Sequence, residues 1–548
     1  MTEAALFQTA SSLRTLFCVL IAFSGASNPF QLWLDHRESM AEDYLYRYHQ
    51  DSRNTSSPLF EISQEMYNHC LLDLNDILTN HQYDQQSMEG FSDIFPSADT
   101  RNTGNASHSN AFQRMHALLY AEALDAEDSD LLPFNENQAL VYHTIHGPGD
   151  TGKTFLFNAL LDRVRMEDEV AIAVASSGTA ALLLKGGRTA HYMFKIPLEV
   201  NTNTMCKMSP RSEIATFIKR AKIIIWDECS MVSKNLIETV NRSFQDIMGN
   251  TAPFGAYLIV FGGDFRQVLP IIRGAGRAMI VSQCLNRASF WPHVQSIRLT
   301  VNMRVQQALQ ANDNSLTDEL QNFASYLLQV GQGAIPTLTL PQNMPSSLIP
   351  IPQRMLLPGD SLLNLIRSIY FDIASSALDP DYFVERSILT PKNKDVKAIN
   401  DLLLTSLPES LIVMPAEILG TIESGSLPPH QLDLKVGSPI MIIRNIDPAA
   451  GLCNGTRMIV NSLGTNIIEA TISTGPNKGA IALIPRIKFI TSASEGIFPV
   501  DFERTQFPVR LSFAMIINKA QGQTLGFVGL YLPVHVFGHG QLIRRPSW

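Results

Sequence analysis

Between Gly147 and Thr154 the chain reads Gly-Pro-Gly-Asp-Thr-Gly-Lys-Thr, and this run limits the possible fold more than any other stretch. It matches G-x-x-x-x-G-K-[ST], a loop whose backbone N–H groups wrap a polyphosphate. Gly147, Gly149, Thr151 and Gly152 let the backbone come close to phosphate oxygens. Lys153 offers a point charge to the β- and γ-phosphates, and Thr154 a hydroxyl for Mg²⁺. Such a loop normally leaves the end of a buried parallel strand and opens a helix. Phe155 to Leu161 supplies the helix, with its N-terminal dipole toward the phosphates. Val141 to His146 is the only stretch available as the strand. Asp150 places a carboxylate inside the anion-binding nest, where like charge opposes a nucleotide.

The segments that follow have the order of an α/β nucleotide-hydrolysing motor. Glu169 to Ala175 reads as a buried strand, and Ser176 to Ala181 follows with small and hydroxyl residues that can hold a phosphodiester backbone. Gly186 to His191, with Arg188, continues that surface; taken alone, both stretches also read as an ordinary strand–turn–helix. Lys222 to Asp227 is an apolar strand ending in two adjacent acids, about seventy residues after Lys153. Asp227 suits the metal and Glu228 suits orienting and deprotonating the attacking water. Tyr257 to Phe261 is a third strand. The turn after it offers Asp264 to brace the metal shell and Gln267 to sense the γ-phosphate. Arg304 is a candidate arginine finger. Upstream, Gln138 reads either as a surface side chain or as an amide that donates to and accepts from the adenine edge.

Length and composition bound the rest. A chain of 548 residues holds about two to four domains. The net charge of −9 leaves no global basic footprint, so any nucleic acid must lie in a local channel. Six scattered cysteines without a C-x-x-C pair point to reduced thiols in an intracellular compartment, with neither a disulfide framework nor a zinc site. Leu16 to Phe23 is too short to span a bilayer and reads as a core helix, so no membrane partner is expected. Ala41 to His49 and Ile62 to Ile77 have helical spacing, and Ser97 to Ser109 is a polar linker. Gly331 to Gly359 reads as an extended connection, and Arg386 to Asn393 as the start of a second α/β unit. Leu427 to Val460 reads as a small β-barrel insertion. Val509 to Ala514 returns as a strand and meets Asn518 to Leu525, a polar stretch suited to a nucleic-acid backbone and the nucleotide cleft together.

GPGDTGKT, ASSGTAALLL, GGRTAHYMFKIP, IIIWDECSM, FGGDFRQVLP, LTVNMR, ILTPKN, LKVGSPIMIIRN, GLCNGTR, INKAQGQTL and FGHGQL occur in one order. In that order the chain resembles the Pif-type superfamily 1 DNA helicases, specifically the group carried by Helitron transposons. The resemblance runs through the whole chain, and this motif set is highly specific. It implies two RecA-like parallel-sheet domains, a small SH3-like β-barrel inserted in the second, and a helical N-terminal region. The implied divisions are 1–130 with a linker near 97–112, then 131–300, then 301–425 plus 510–548, with the barrel at 426–509. The implied activity is ATP- and Mg²⁺-dependent 5′-to-3′ movement on single-stranded DNA. Implied settings are DNA repair, recombination and telomere maintenance or transposition, in the nucleus. Gln138 is assigned to adenine, Lys153 and Thr154 to phosphate and metal, Asp227 and Glu228 to metal and water, and Gln267 and Arg304 to the γ-phosphate. Ser176 belongs with the phosphodiester contacts, and Arg188, His191, Phe194, Lys519 and Gln521 with the DNA channel or its link to the cleft.

Four departures accompany the resemblance. The apolar strand before the loop is expected to be missing between Ile145 and His146, and Asp150 stands where the family has glycine. The family's closing arginine stretch does not follow His539-Gly540-Gln541-Leu542, and no replication-initiator nuclease precedes the motor. They lead to the expectation of a shortened copy, and to an alternative function as an impaired remnant that binds DNA or nucleotide without turnover.

Overall fold

The computed structural model describes residues 1–5, 8–24, 28–51, 62–80, 144–146, 151–197, 199–272, 275–311, 314–338, 348–359, 361–373, 380–407, 412–413, 427–448, 450–491, 502–534 and 536. They divide between two units, one drawn from 1–108, 374–384 and 400–513, the other from 109–373, 385–399 and 514–548.

The second unit carries the motor motifs. Six parallel strands, β1 (Thr144–His146), β2 (Val170–Ala175), β3 (Arg188–Thr189), β4 (Ala221–Asp227), β5 (Ile259–Gly263) and β6 (Ser296–Arg298), form a sheet in the order β3-β2-β4-β5-β1-β6. Every residue of β2 is buried, and so is β4 apart from Lys222, which is why both read as near-continuous apolar runs. Their side chains alternate between two cores. On one face Ala171, Ala173, Ile223, Ile225 and Val260 pack with Leu156, Phe157 and Leu161 of helix α1 (Lys153–Met166). On the other, Ile172, Val174, Ile224, Trp226 and Phe261 pack with Ile237, Val240 and Phe244 of a longer amphipathic helix, Lys234–Met248. That helix is capped by the Ser233 side chain and stopped by Gly249 in a left-handed turn.

β1 overturns the expectation of a missing strand. It is three residues long, but it lies inside the sheet, with Ile145 opposite Gly262 of β5 on one side and Ile297 of β6 on the other. The sheet therefore delivers the chain to the phosphate loop as a parallel motor requires. A smaller parallel sheet places β7 (Arg386–Thr390) between β8 (Ala514–Ile516) and β9 (Phe527–Leu530). The expected strand from Val509 to Ala514 is split: Val509–Leu511 pairs with Pro439–Ile442 in an antiparallel sheet, and only from Ala514 does the chain enter the parallel one.

The first unit is an antiparallel sheet with helices. Strands Ile481–Pro485, Ile467–Ile472, Arg457–Leu463, Pro439–Ile442 and Val509–Leu511 lie in that order, and Ile487–Thr491 pairs with Phe502–Gln506 as a ribbon. The apolar run at Leu16 to Phe23 lies on a helix, Ala10–Val19, extended by a π-helical turn, Leu20–Ser24. Val19 enters the core of the antiparallel sheet, while Ile467 enters the core formed by the N-terminal helices. Among the described residues no helix is long and apolar enough to cross a membrane.

Candidate nucleotide site

Because all six strands are parallel, β1, β2, β4 and β5 end at one edge of the sheet, and the motifs collect there. Gln138, Gly147, Gly149 and Asp150 lie outside the described residues. Thr151 is buried, Gly152 takes a left-handed conformation (φ 77°, ψ 24°), and α1 starts at Lys153 with no side-chain cap on its N-terminal amides. Lys153 and Thr154 thus occupy the first turn of a helix, where the positive end of the dipole favours an anion.

Asp227 closes β4. Its carboxyl is buried, and burial raises its pKa above the usual carboxylate range, while the Lys153 ammonium and the Glu228 N–H pull the other way. The Lys153 ammonium is thus close enough to act on the Asp227 carboxyl. The Glu228 N–H donates to Asp227 Oδ1 at 2.7 Å, and Glu228 itself is left-handed (φ 52°, ψ 34°). A non-glycine residue held there stores about 1–3 kcal/mol of strain, a cost that clusters at functional turns. The Glu228 carboxylate accepts a 2.6 Å hydrogen bond from Gln521 Nε2. The neighbouring Cys229 is buried and its thiol is pushed well up in pKa, so it is no nucleophile.

β5 lies between β4 and β1, and its last residues are glycines for a steric reason. A Cβ on Gly262 would sit 2.5 Å from Phe157 Cζ and 2.7 Å from Asp227 Oδ1. Beyond it, Asp264 is occupied: its Oδ1 accepts from the Arg266 backbone N–H at 3.1 Å and from Arg266 Nε at 2.8 Å. Gln267 follows on the same turn, half-buried, its N–H donating to the Asp264 carbonyl. Arg304 follows β6 in the first turn of a helix, Met303–Gln310, whose N-cap Asn302 accepts from the Arg304 and Val305 amides.

The residues expected along a DNA channel separate into groups. Ser176 joins the strand ends, its hydroxyl accepting from Trp226 Nε1 at 3.1 Å and donating to the Asp227 carbonyl at 3.3 Å. Gln521 reaches the same edge; its carbonyl accepts from the Thr179 hydroxyl at 3.4 Å. Arg188 is half-buried at the β3 edge, with Nη1 on the Gly187 carbonyl. His191 is half-buried on the short helix Ala190–Met193, and burial lowers its pKa below 6.5. Lys519 lies half-buried on a 3-10 turn, Ile517–Ala520. Phe194 is a correction. It is fully buried, set edge-on to Phe244 and tilted on Trp226 within the sheet's core, so its ring cannot stack on a base.

Sequence reasoning missed Gly262 and Lys195. Gly262 had a signal in the Gly262-Gly263 pair at a strand end. Lys195 had none, since its setting is tertiary: it is left-handed (φ 50°), its ammonium lies 4.7 Å from the Tyr192 ring centroid, and burial lowers its pKa to about 8.

A helix opening at Gly152-Lys153 after an interior parallel strand, with an Asp-Glu pair at the end of a strand two places along the same sheet, is the arrangement of a RecA-like nucleotide-binding fold. The PIF1-like helicase family matches residues 134–340, and the family described as the DNA helicase Pif1 2B domain matches residues 417–463. Over these two stretches the chain is similar to the PIF1-like helicases. It is 25% identical to the ATP-dependent DNA helicase PIF1 of Danio rerio over 77% of this chain and 59% of that protein. It is 24% identical to the ATP-dependent DNA helicase Pif1 of Campylobacter jejuni over 73% of this chain and 84% of that protein. The chain thus spans 59% of the zebrafish relative's length and 58% of that of the Saccharomyces cerevisiae helicase RRM3. The crystal structure of Bacteroides Pif1 bound to single-stranded DNA shares the fold at TM-score 0.51 and 20% identity, over 75% of this chain and 89% of that one.

Proposed function

We propose that the chain is an ATP-dependent DNA helicase that moves 5′ to 3′ on single-stranded DNA. The observation that carries this is Asp227 at the end of β4, hydrogen-bonded by the Glu228 N–H and acted on electrostatically by Lys153 from the start of α1. Relatives named ATP-dependent DNA helicases and a Bacteroides relative crystallised with single-stranded DNA support the same reading.

Lys153 serves the β- and γ-phosphates, Glu228 takes the proton of the attacking water, and Gln267 and Arg304 answer to the γ-phosphate. Magnesium is usually held by one or two carboxylates together with substrate phosphates, and the hard oxygens of Asp227 and Thr154 fit that pattern. The ion supplies neutralisation of charge on the transferring phosphate. Ser176, Arg188, His191, Lys519 and Gln521 belong to the DNA path or to its link with the cleft. Residues 131–300 and 301–425 plus 510–548 serve as the two motor domains, with 426–509 inserted and 1–130 preceding. Relatives come from bacteria as well as eukaryotes, so a nuclear location and a role in repair, recombination, telomere maintenance or Helitron transposition belong to this proposal.

The test is steady-state ATP hydrolysis with and without an oligo-dT strand, followed by unwinding of substrates with a 5′ or a 3′ tail. Turnover is expected to rise with the strand, to fall by about 10²–10⁴-fold in Glu228→Gln, and to support unwinding only from the 5′ tail. Asp150 favours a second reading, a remnant that binds nucleotide or DNA without turnover, because its charge opposes phosphate. Turnover in the unaltered chain rejects the remnant. Absence of turnover in both that chain and Asp150→Gly rejects the helicase.

A further inference from the structure

The Glu228 carboxylate is engaged. Gln521 Nε2 donates to its Oε2 at 2.6 Å, and Gln521 is more than nine-tenths buried. The backbone carbonyl of the same glutamine accepts from the Thr179 hydroxyl at 3.4 Å, and Thr179 lies 3.2 Å from the Ser177 hydroxyl. Ser177 caps the helix Gly178–Leu182 through the Ala180 N–H. The turn at Gln521-Gly522 presses on this pair: Gly522 is left-handed (φ 73°), and a Cβ there would lie 3.2 Å from Thr179 Oγ1. One continuous line of polar contacts therefore runs from the hydroxyls after β2 to the carboxylate after β4.

The two links differ in strength. The bond to the carboxylate is charge-assisted and short, whereas the bond from Thr179 is neutral and at the limit of length. A phosphate oxygen offered to Thr179 competes with a carbonyl 3.4 Å away and wins, because a hydroxyl bonds an anion at shorter range and about twice as strongly. The link that breaks first is thus the one beside the hydroxyls expected to meet a phosphodiester.

We propose that Gln521 is a positioning residue that occupies the Glu228 carboxylate until single-stranded DNA takes Thr179, so that the strand switches on hydrolysis by freeing the base. This rests on the helicase reading and deepens it. While Gln521 donates to Oε2, it takes one of that oxygen's lone pairs and fixes the carboxylate's orientation, so the group is held away from the attacking water. When Thr179 turns to a phosphate, its bond to the Gln521 carbonyl is given up, and the 520–523 turn, still closed by the Gln523 N–H on the Ala520 carbonyl at 3.2 Å, shifts as one piece and carries the amide from Glu228.

The test uses the full chain, with Gln521→Met, which keeps length and volume but removes the donor, and Thr179→Val, which removes the hydroxyl at constant shape. ATP hydrolysis is measured over a series of ATP and oligo-dT concentrations. Gln521→Met is expected to raise kcat without DNA about tenfold, the factor that 1.4 kcal/mol represents, to leave KM for ATP unchanged, and to shrink the stimulation by DNA. Thr179→Val is expected to raise the DNA-free rate in the same direction and to require more oligo-dT for half-maximal stimulation. A Gln521→Met chain whose DNA-free rate is unchanged or lower overturns the proposal. If neither the unaltered chain nor Asp150→Gly hydrolyses ATP, or if hydrolysis does not respond to DNA, the helicase reading fails and this proposal falls with it. A stimulated parent with an unresponsive Gln521→Met sinks the switch alone.

Discussion

Gly262 has room for no side chain, because Phe157 and the Asp227 carboxylate both lie within 2.7 Å of where a Cβ would stand. Gly262→Ala is therefore expected to destabilise the chain by about 1–3 kcal/mol and to weaken nucleotide binding by moving Asp227; urea midpoints and titration with a fluorescent ATP analogue measure the two effects. Lys195 gives a second test. Burial lowers its pKa from 10.5 to about 8. Between those values the unfolded chain holds a proton that the folded chain has released, so this group's contribution to stability rises with pH across that window. Below it, the folded state carries the full cost of the buried ammonium. Lys195→Met is expected to be more stable than the parent at pH 7, and the gap in urea midpoint should close between about pH 8 and pH 10.5. Lys153, Asp227 and Glu228 were legible in the sequence because local spacing fixes them: a loop, a helix start and a strand end. Phe194 was misread because the same motif that places Arg188 and His191 turns the next aromatic ring into the sheet, and only the packing of Trp226 and Phe244 reveals that.

Among elements, the strand before the phosphate loop shows where sequence reading stops. Thr144–His146 carries little apolar signal, and its neighbours supply what the sequence does not, with Gly262 and Gly263 on one side and Ser296 to Arg298 on the other. A strand paired on both sides needs no strong propensity of its own. By contrast Val170–Ala175 and Ala221–Asp227 were legible because burial on both faces writes itself as an apolar run. Proline at Ile145 cannot donate within an interior strand. Losing that ladder bond costs about 1–3 kcal/mol, so Ile145→Pro is expected to weaken ATP-analogue binding by about tenfold or more. Unchanged affinity would show that the loop does not depend on this strand.

Across the whole molecule, each unit has its own cores, and one salt-bridged arginine belongs to only one of them. Arg14 is buried in the first unit, with Nη1 and Nη2 each 2.8 Å from the two carboxylate oxygens of Asp43 and Nε 3.5 Å from Asp73. The bond to Arg14 holds the Asp43 carboxyl below its usual pKa. Removing one partner of such a pair costs about 3 kcal/mol or more. Arg14→Met should therefore lower one calorimetric transition and leave the one that shifts with added nucleotide in place. That the N-terminal helices share cores with strands hundreds of positions later was not legible, because periodicity reports which face is apolar and not what covers it. This sharing has a consequence during synthesis. Leu13, Leu16 and Phe17 emerge from the ribosome long before Ile467, which completes their core. At ~5–20 residues per second the newborn segment waits on the order of tens of seconds, its greasy side uncovered, as a natural client for a chaperone.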